Sequence, residues 1–174
     1  GVRERHDVHT WVQWCAERSG AAFPLLLGGV SMGATTVLMA CGEPFAGNVR
    51  GVIADCGFTS PWDIIGKCGR DFHVPSWLLL PLVDLQTSLF AGFSLKEYST
   101  LDAMKTTKIP TFLAHGEKDT FVPCEMSKRN YAACAAKDKT LLLTPEAGHG
   151  QSYLKQMERY QNAVRAFLGR CLGG

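Results

Sequence analysis

The sequence lacks the patterns that mark metal sites, phosphate loops and disulfide frameworks. It has seven cysteines, an odd number, widely spaced and without a C-x-x-C pair. This usage favours reduced thiols in a cytoplasmic protein, with one or two disulfides as the alternative. No H-x-x-x-H motif or paired Cys/His spacing occurs, so we expect no metal and no cofactor. The glycine-rich segment 28–33 lacks the Lys-Ser/Thr ending of a phosphate-binding loop.

The sequence also has little excess charge and no long apolar run. Its formal net charge is +2, and no basic run is longer than Lys128-Arg129. We therefore expect neither nucleic acid nor an acidic membrane as a partner. The longest apolar segment, around 77–83, contains Pro81 and is too short for a membrane span. A chain of 174 residues with 46% hydrophobic content is predicted to form one domain over residues 1–174.

Apolar segments of strand length alternate with segments of helical periodicity. The predicted strands are 23–30, 49–56, 109–116 and 140–144, and the predicted helices are 7–18, 32–41, 124–136 and 152–168. This alternation predicts an α/β fold with a mostly parallel sheet and helices on both faces.

The segment 57–107 is rich in leucine and aromatic residues and lies between two predicted strands. We expect it to form a cap-like helical insertion that walls a substrate pocket, with Trp62, Trp77 and Phe90 among the lining residues. For most individual residues of the segment, plain core packing is the alternative.

The most informative motif is Gly29-Val30-Ser31-Met32-Gly33, which follows an apolar strand and begins a helix. This pattern is typical of a nucleophile elbow, in which the serine sits on a sharp, strained turn. We expect Gly29 and Gly33 to leave room where a side chain would collide with the adjoining strand or helix. The backbone N–H of Met32 is then the expected oxyanion donor. The alternative is a glycine-rich turn that serves only for packing.

A serine hydroxyl needs a base, and His149 is the best candidate among the five histidines. It lies between Gly148 and Gly150, after the fourth predicted strand, and follows the serine and the acid in chain order. The alternative for His149 is a solvated loop histidine. The other histidines come before the candidate acid in the chain, so they do not fit this order. They are His6, His9, His73 and His115.

The base needs an acid to orient it, and Asp119 is the leading candidate. It follows the third predicted strand, at the end of a parallel sheet where functional sites collect. Asp55, at the end of the second strand, is the rival, and its alternative is a structural role in which it caps or braces the turn after that strand. Asp138 precedes the fourth strand and is therefore at the wrong end of the sheet.

These ordered motifs, Gly29 to Gly33, His115 to Pro123 and Gly148 to Gly150, resemble the α/β-hydrolase superfamily. The chain looks most similar to the bacterial serine aminopeptidase-like and esterase-like branch. The resemblance implies a Ser-His-Asp triad of Ser31, His149 and Asp119. It also implies hydrolysis of an ester, thioester or amide of a small-molecule acyl substrate through an acyl-enzyme. A peptidase of the same fold differs only in its leaving group, and a non-catalytic binding domain is the alternative from another class.

The chain departs from the family pattern before the serine. Family members have several strands there and an early loop that supplies a second oxyanion N–H, whereas only about 25 residues precede this elbow. The sequence opens at Gly1, without Met or a signal-peptide pattern. We therefore expect the carboxyl-terminal part of a larger hydrolase, with one sheet edge unpaired and the missing amino-terminal segment as a partner. A half-built oxyanion hole costs roughly 10²–10³ in rate.

Overall fold

The structure is a computed structural model, and it describes residues 1–173. Four strands alternate with eight helices along this part of the chain. The strands are β1 (Leu25–Val30), β2 (Val49–Asp55), β3 (Thr111–Gly116) and β4 (Lys139–Thr144). The helices are α1 (Glu4–Ser19), α2 (Met32–Ala40), α3 (Pro61–Asp71), α4 (Ser76–Phe90), α5 (Thr100–Thr106), α6 (Glu125–Ala133), α7 (Ser152–Lys155) and α8 (Met157–Leu172).

The four strands form one parallel sheet in the order β1-β2-β3-β4. The register pairs Val30 with Asp55, and Asp55 with Ala114. Because all strands run the same way, the loops that follow them leave from one edge of the sheet. The predicted α/β fold with a parallel sheet is confirmed. Along β1, the sheet pairs on one side only within residues 1–173, as the sequence predicted for one edge.

Helices cover both faces of the sheet, which is the second part of the prediction. Neighbouring side chains of a strand point to opposite faces, so Phe112 and Leu113 of β3 enter different cores. Leu113 packs in a core with residues of α2, α5 and α6, among them Leu38 and Met104. Phe112 packs in a second core with Phe167 of α8. Both cores support β3, which is buried along its whole length.

Two predicted helix boundaries differ from the structure. The predicted final helix 152–168 is two helices, because Gln156 has a non-helical backbone with φ −140° and ψ 60°. The break allows α7 to pack beside the ends of β3 and β4 while α8 lies across the sheet. Helix α6 ends at Ala133 and not near residue 136, because the Ala135 N–H donates to the Met104 carbonyl of α5.

The segment 57–107 folds as α3, α4 and α5. Helix α5 belongs to the core, since Ala103 and Met104 are fully buried against α2 and α6. Helix α4 packs on α3, where a Cβ at Gly69 would lie 2.5 Å from the side chain of Leu79. Its other face exposes the leucines 82, 85 and 89. The part of the insertion outside the core is therefore α3 and α4. The cap-like role of the insertion stays a prediction.

Two further features concern the cysteines and the apolar character of the helices. All seven cysteines are free thiols. Among residues 1–173, none of the helices combines the length and the apolar character that crossing a bilayer requires.

The two glycines that flank Ser31 differ in the space around them. A Cβ at Gly29 would lie 2.3 Å from the backbone carbonyl of Gly33, closer than real Cβ atoms come. A Cβ at Gly33 would meet nothing within 4 Å. The sequence prediction is therefore confirmed for Gly29 and wrong for Gly33. Only Gly29 lets the end of β1 lie directly against the start of α2.

We expect Gly29→Ala to destabilise the protein and Gly33→Ala to be harmless. The first adds a methyl group inside the elbow backbone, and overpacking of this kind costs about 1–3 kcal/mol. The second lies within α2, where Ala is favoured over Gly by about 0.5–1 kcal/mol. Urea unfolding midpoints measure both effects. Equal midpoints for the two variants would contradict the assignment of the close contact to Gly29.

Candidate active site

Ser31 connects β1 to α2 in a backbone conformation that L-residues rarely adopt, with φ 55° and ψ −116°. Two backbone hydrogen bonds hold it there. The Ser31 N–H donates to the Asp55 carbonyl at 2.8 Å, and the Thr35 N–H donates to the Ser31 carbonyl at 3.0 Å. Such a conformation costs of order 1–3 kcal/mol and persists where the surroundings enforce it. Here they fix the hydroxyl above the carboxyl edge of the sheet.

His149 lies between the side chains of Ser31 and Asp119. It belongs to the loop between β4 and α7, in which Glu146 and Gly150 have positive φ values of 58° and 65°. Its Nε2 is 2.9 Å from Ser31 Oγ, and its Nδ1 is 2.7 Å from Asp119 Oδ2. The imidazole is 30% exposed, whereas the Asp119 side chain is fully buried. Three side chains from three separate loops thus form one hydrogen-bonded chain.

Backbone contacts hold the loop of Asp119 to the loop of His149. The Glu117 N–H donates to the Thr144 carbonyl at 3.0 Å, and the Lys118 N–H donates to the Ala147 carbonyl at 2.9 Å. A Cβ at Gly116 would lie 2.3 Å from the Ala147 carbonyl oxygen, so the close approach depends on glycine. The distance between acid and base is therefore set by main-chain atoms.

The Asp119 carboxylate is surrounded by donors. The N–H groups of Phe121 and Val122 donate to Oδ1 at 2.9 and 2.8 Å. His149 and His115 contact Oδ2 at 2.7 and 3.2 Å. Burial by itself would raise the pKa of this carboxyl. The hydrogen bonds from both histidines and from the Val122 N–H outweigh burial, so the pKa of Asp119 lies below its ordinary value.

His115 and Phe121 contact this group and were not predicted as site residues. His115 is fully buried, and its Nε2 lies 3.2 Å from Asp119 Oδ2, the oxygen that also contacts His149. The available signal for His115 was its spacing of four residues before the acid. Chain order excluded it only as the base. The ring of Phe121 packs edge-on against the imidazole of His149, with centroids 5.1 Å apart. Its position two residues after the acid carries no distinctive pattern.

Asp55, the rival acid, makes no contact with His149. Its carboxyl is buried at the end of β2, and among the described residues its Oδ1 has no hydrogen-bond partner. Burial raises the pKa of Asp55, and a hydrogen bond from the Tyr160 hydroxyl opposes the rise only in part. The two carboxyl groups therefore have pKa values shifted in opposite directions, and it is Asp119 that contacts the base.

One cluster among residues 1–173 offers three metal-ligand types, namely Cys56, Asp119 and His149, whose ligand atoms lie within 4.8 Å of one another. Burial raises the pKa of the Cys56 thiol to about 11, which disfavours the thiolate that metals bind. Two ligands on one zinc ion lie roughly 3.3 Å apart, given bonds of about 2.0 Å in tetrahedral geometry. The 2.7 Å contact between Asp119 and His149 is shorter and fits a shared proton.

Met32 and the predicted pocket residues have different positions. Met32 is the first residue of α2, so its N–H has no partner within the helix and lies beside Ser31.

Trp62 is half-buried, with Lys96 Nζ 3.9 Å from its ring centroid. Trp77 and Phe90 are 78% and 85% exposed on α4. They do not line an enclosed pocket, because α4 packs with its other face on α3. The apolar side chains beside Ser31 and His149 are Val30, Met32 and Phe121.

A family model and one relative of known sequence match almost the whole of this chain. The family model described as the prolyl oligopeptidase family matches residues 1–174. A protein of Bacillus subtilis (strain 168), named "Uncharacterized protein YqkD", is 27% identical over 169 residues. The match includes 97% of this chain and 55% of YqkD. This chain therefore spans about half the length of that relative.

Solved structures are similar in fold. An esterase of Pyrococcus furiosus matches with a TM-score of 0.71 and 24% identity, over 99% of this chain and 63% of the esterase. A puromycin-hydrolyzing peptidase of Mycobacterium tuberculosis matches with a TM-score of 0.69 and 25% identity, over 92% of this chain and 24% of the peptidase. Together with the family match, these likenesses confirm the resemblance to the α/β-hydrolase superfamily.

We expect the two buried carboxyl groups to affect stability with opposite sign. A lowered pKa stabilises the folded state above the unfolded pKa of about 3.9, so Asp119→Asn should lower the melting temperature at pH 7. A raised pKa destabilises the folded state above that same unfolded value, so Asp55→Asn should leave the melting temperature at pH 7 unchanged or higher. Thermal unfolding at pH 5 and pH 7 tests both. A loss in Asp55→Asn as large as that in Asp119→Asn would contradict the opposite shifts.

Proposed function

Since this chain belongs to the prolyl oligopeptidase family, we propose that it is a serine hydrolase that cleaves an ester, thioester or amide bond through an acyl-enzyme on Ser31. The observation that carries the proposal is the position of the His149 imidazole. It lies within hydrogen-bond distance of Ser31 Oγ and of Asp119 Oδ2 at once. A free serine hydroxyl is a weak nucleophile, and an oriented imidazole is the group that activates it.

In the proposed first step, Ser31 Oγ attacks the acyl carbon and passes its proton to His149 Nε2. Asp119 accepts the hydrogen bond of the Nδ1–H, which fixes the tautomer in which Nε2 is free to act as the base. Its carboxylate stabilises the imidazolium and does not itself take the proton. The low pKa of Asp119 keeps the carboxylate ionised for this role.

The tetrahedral intermediate then collapses, and the imidazolium returns its proton to the leaving alcohol, thiol or amine. The Met32 N–H and the positive end of the α2 dipole lie beside Ser31 and support Met32 as an oxyanion donor. In the second half, water gives a proton to His149 and attacks the acyl carbon. When the bond between the acyl carbon and Ser31 Oγ breaks, the imidazolium returns this proton to Oγ, which restores the hydroxyl and releases the acid.

The side chains around the serine support an apolar, small-molecule acyl substrate. Val30 and Met32 flank Ser31, Phe121 packs on His149, and all three are more than half exposed. Apolar side chains that line an approach to a site favour an acyl or aromatic group over a highly charged one. An esterase and a peptidase are both among the similar structures. We therefore propose an uncharged acyl ester as the first substrate class to test, with an amide as the second.

We expect a fluorophosphonate probe to label the wild-type protein once and the Ser31→Ala variant not at all. The probe reacts only with a serine whose hydroxyl is activated by a base, so labelling does not require the natural substrate. Intact-protein mass spectrometry before and after treatment measures the mass gain. Ser88→Ala is the matched control, because Ser88 lies on α4 and far from His149 in the chain.

Labelling of Ser31→Ala would overturn the assignment of the nucleophile. A folded wild-type protein that gains no mass would contradict the hydrolase and favour a non-catalytic binding domain. Once the label is placed on Ser31, hydrolysis of matched acyl esters and acyl amides separates the two leaving-group classes.

A further inference from the structure

A second group of buried polar side chains, Ser127 and His115, lies next to Asp119. Ser127 Oγ of α6 is 2.6 Å from His115 Nδ1. The other ring nitrogen of His115, Nε2, is 2.8 Å from the Val122 carbonyl oxygen and 3.2 Å from Asp119 Oδ2. His115, Ser127 and the Asp119 side chain are all buried. Polar groups in such a place need partners, so the direction of each hydrogen bond can be worked out.

The partners of His115 select one tautomer. Both atoms that face Nε2 are acceptors, a carbonyl oxygen and a carboxylate oxygen. A lone pair on Nε2 would face two oxygens without a proton between them, so Nε2 must carry the hydrogen. Nδ1 of the neutral ring is then an acceptor, and the Ser127 hydroxyl donates to it. Ser127 thus favours the form of His115 whose Nε2–H donates to the Val122 carbonyl and lies against Asp119 Oδ2.

Asp119 has polar hydrogens close to both of its oxygens as a result. Oδ1 accepts the backbone N–H groups of Phe121 and Val122. Oδ2 accepts the hydrogen bond from His149 and lies 3.2 Å from His115 Nε2, whose hydrogen is shared with the Val122 carbonyl. The carboxylate cannot rotate without breaking several of these hydrogen bonds. Since Oδ2 has two lone pairs, a donor on one of them reduces the negative charge that the other presents to His149.

We propose that Ser127 and His115 form a positioning pair. The pair holds the Asp119 carboxylate in place and reduces the negative charge that its Oδ2 presents to His149. The proposal rests on the proposed function, because it assigns the pair a role in setting the basicity of the proposed catalytic base. His115 does not contact Ser31 or the space above it. It acts through Asp119, and Ser127 acts through His115.

Other titratable groups near this pair come from neighbouring elements. Asp55 and Cys56 lie at the end of β2, and Tyr160 of α8 lies against Asp55. The test leaves all three of these residues unchanged. A shift in the pH dependence measured at His149 therefore reports on the loss of the His115 Nε2–H alone.

The test compares His115→Met with His115→Gln in the full-length protein. The two replacements have similar length, but only Gln carries an N–H donor near the position of Nε2. In His115→Met, Oδ2 interacts with His149 alone, which favours the imidazolium. We expect the pH at which the fluorophosphonate labelling rate is half-maximal to rise, and the plateau rate to fall about tenfold. His115→Gln should restore most of both, and Ser127→Ala should shift both in the same direction as Met, by less.

A second measurement does not depend on hydrolysis. The ¹⁵N NMR shifts of the imidazole nitrogens should show His115 as the Nε2–H tautomer, and a pH titration of the His149 resonances should show the same upward shift in His115→Met. An Nδ1–H tautomer, or identical pH profiles for His115→Met and His115→Gln, would overturn the positioning role.

Absence of wild-type labelling would contradict the proposed function instead. The His149 titration would still decide the effect of His115. If His115→Met does not fold, Ser127→Ala decides between the outcomes.

Discussion

The buried charge of Asp119 is the constraint on which the arrangement of the site depends. A carboxylate without access to water needs donors, and here two backbone N–H groups and the His149 imidazole provide them, with His115 Nε2 3.2 Å from Oδ2. His115 is buried, whereas His149 is partly exposed. In the proposed mechanism, His149 needs a carboxylate that these surroundings keep ionised. The parallel sheet makes this possible, because it brings the loops after β1, β3 and β4 to one edge.

The strain at Ser31 is the second condition, and it depends on packing that precedes any chemistry. The end of β1 lies against the start of α2 because Gly29 has no Cβ. The turn is then held by hydrogen bonds to the Asp55 carbonyl and from the Thr35 N–H. These contacts belong to the backbone and to the core, so the position of the hydroxyl is set by the fold and not by its contact with His149. Most residues of α2 are buried, so the surroundings that enforce the strained φ of Ser31 are part of the core.

Much of the fold and the three contacting side chains could be predicted from the sequence. Alternating apolar and helical segments specify a parallel sheet, and the order of Ser31, Asp119 and His149 along the chain places them at strand ends. The remainder depends on tertiary contacts that leave no local pattern. The apolar stripe of the last helix continues through Gln156, where the break has neither glycine nor proline. Trp77 and Phe90 look like pocket residues until the packing of α4 on α3 leaves them in solvent.

The two buried aspartates show why position at a strand end does not by itself decide a role. Asp55 is the last residue of β2 and Asp119 lies in the loop after β3, at the same edge of the sheet, and both are removed from water. What differs is the number of donors: Asp119 accepts three hydrogen bonds and has His115 Nε2 at 3.2 Å, whereas Asp55 has an oxygen without a partner among the described residues. The same burial therefore gives one group that stays ionised and one whose pKa rises. Only an ionised carboxylate can stabilise an imidazolium, so the donors around each carboxyl support Asp119 over Asp55 as the acid of the proposed mechanism.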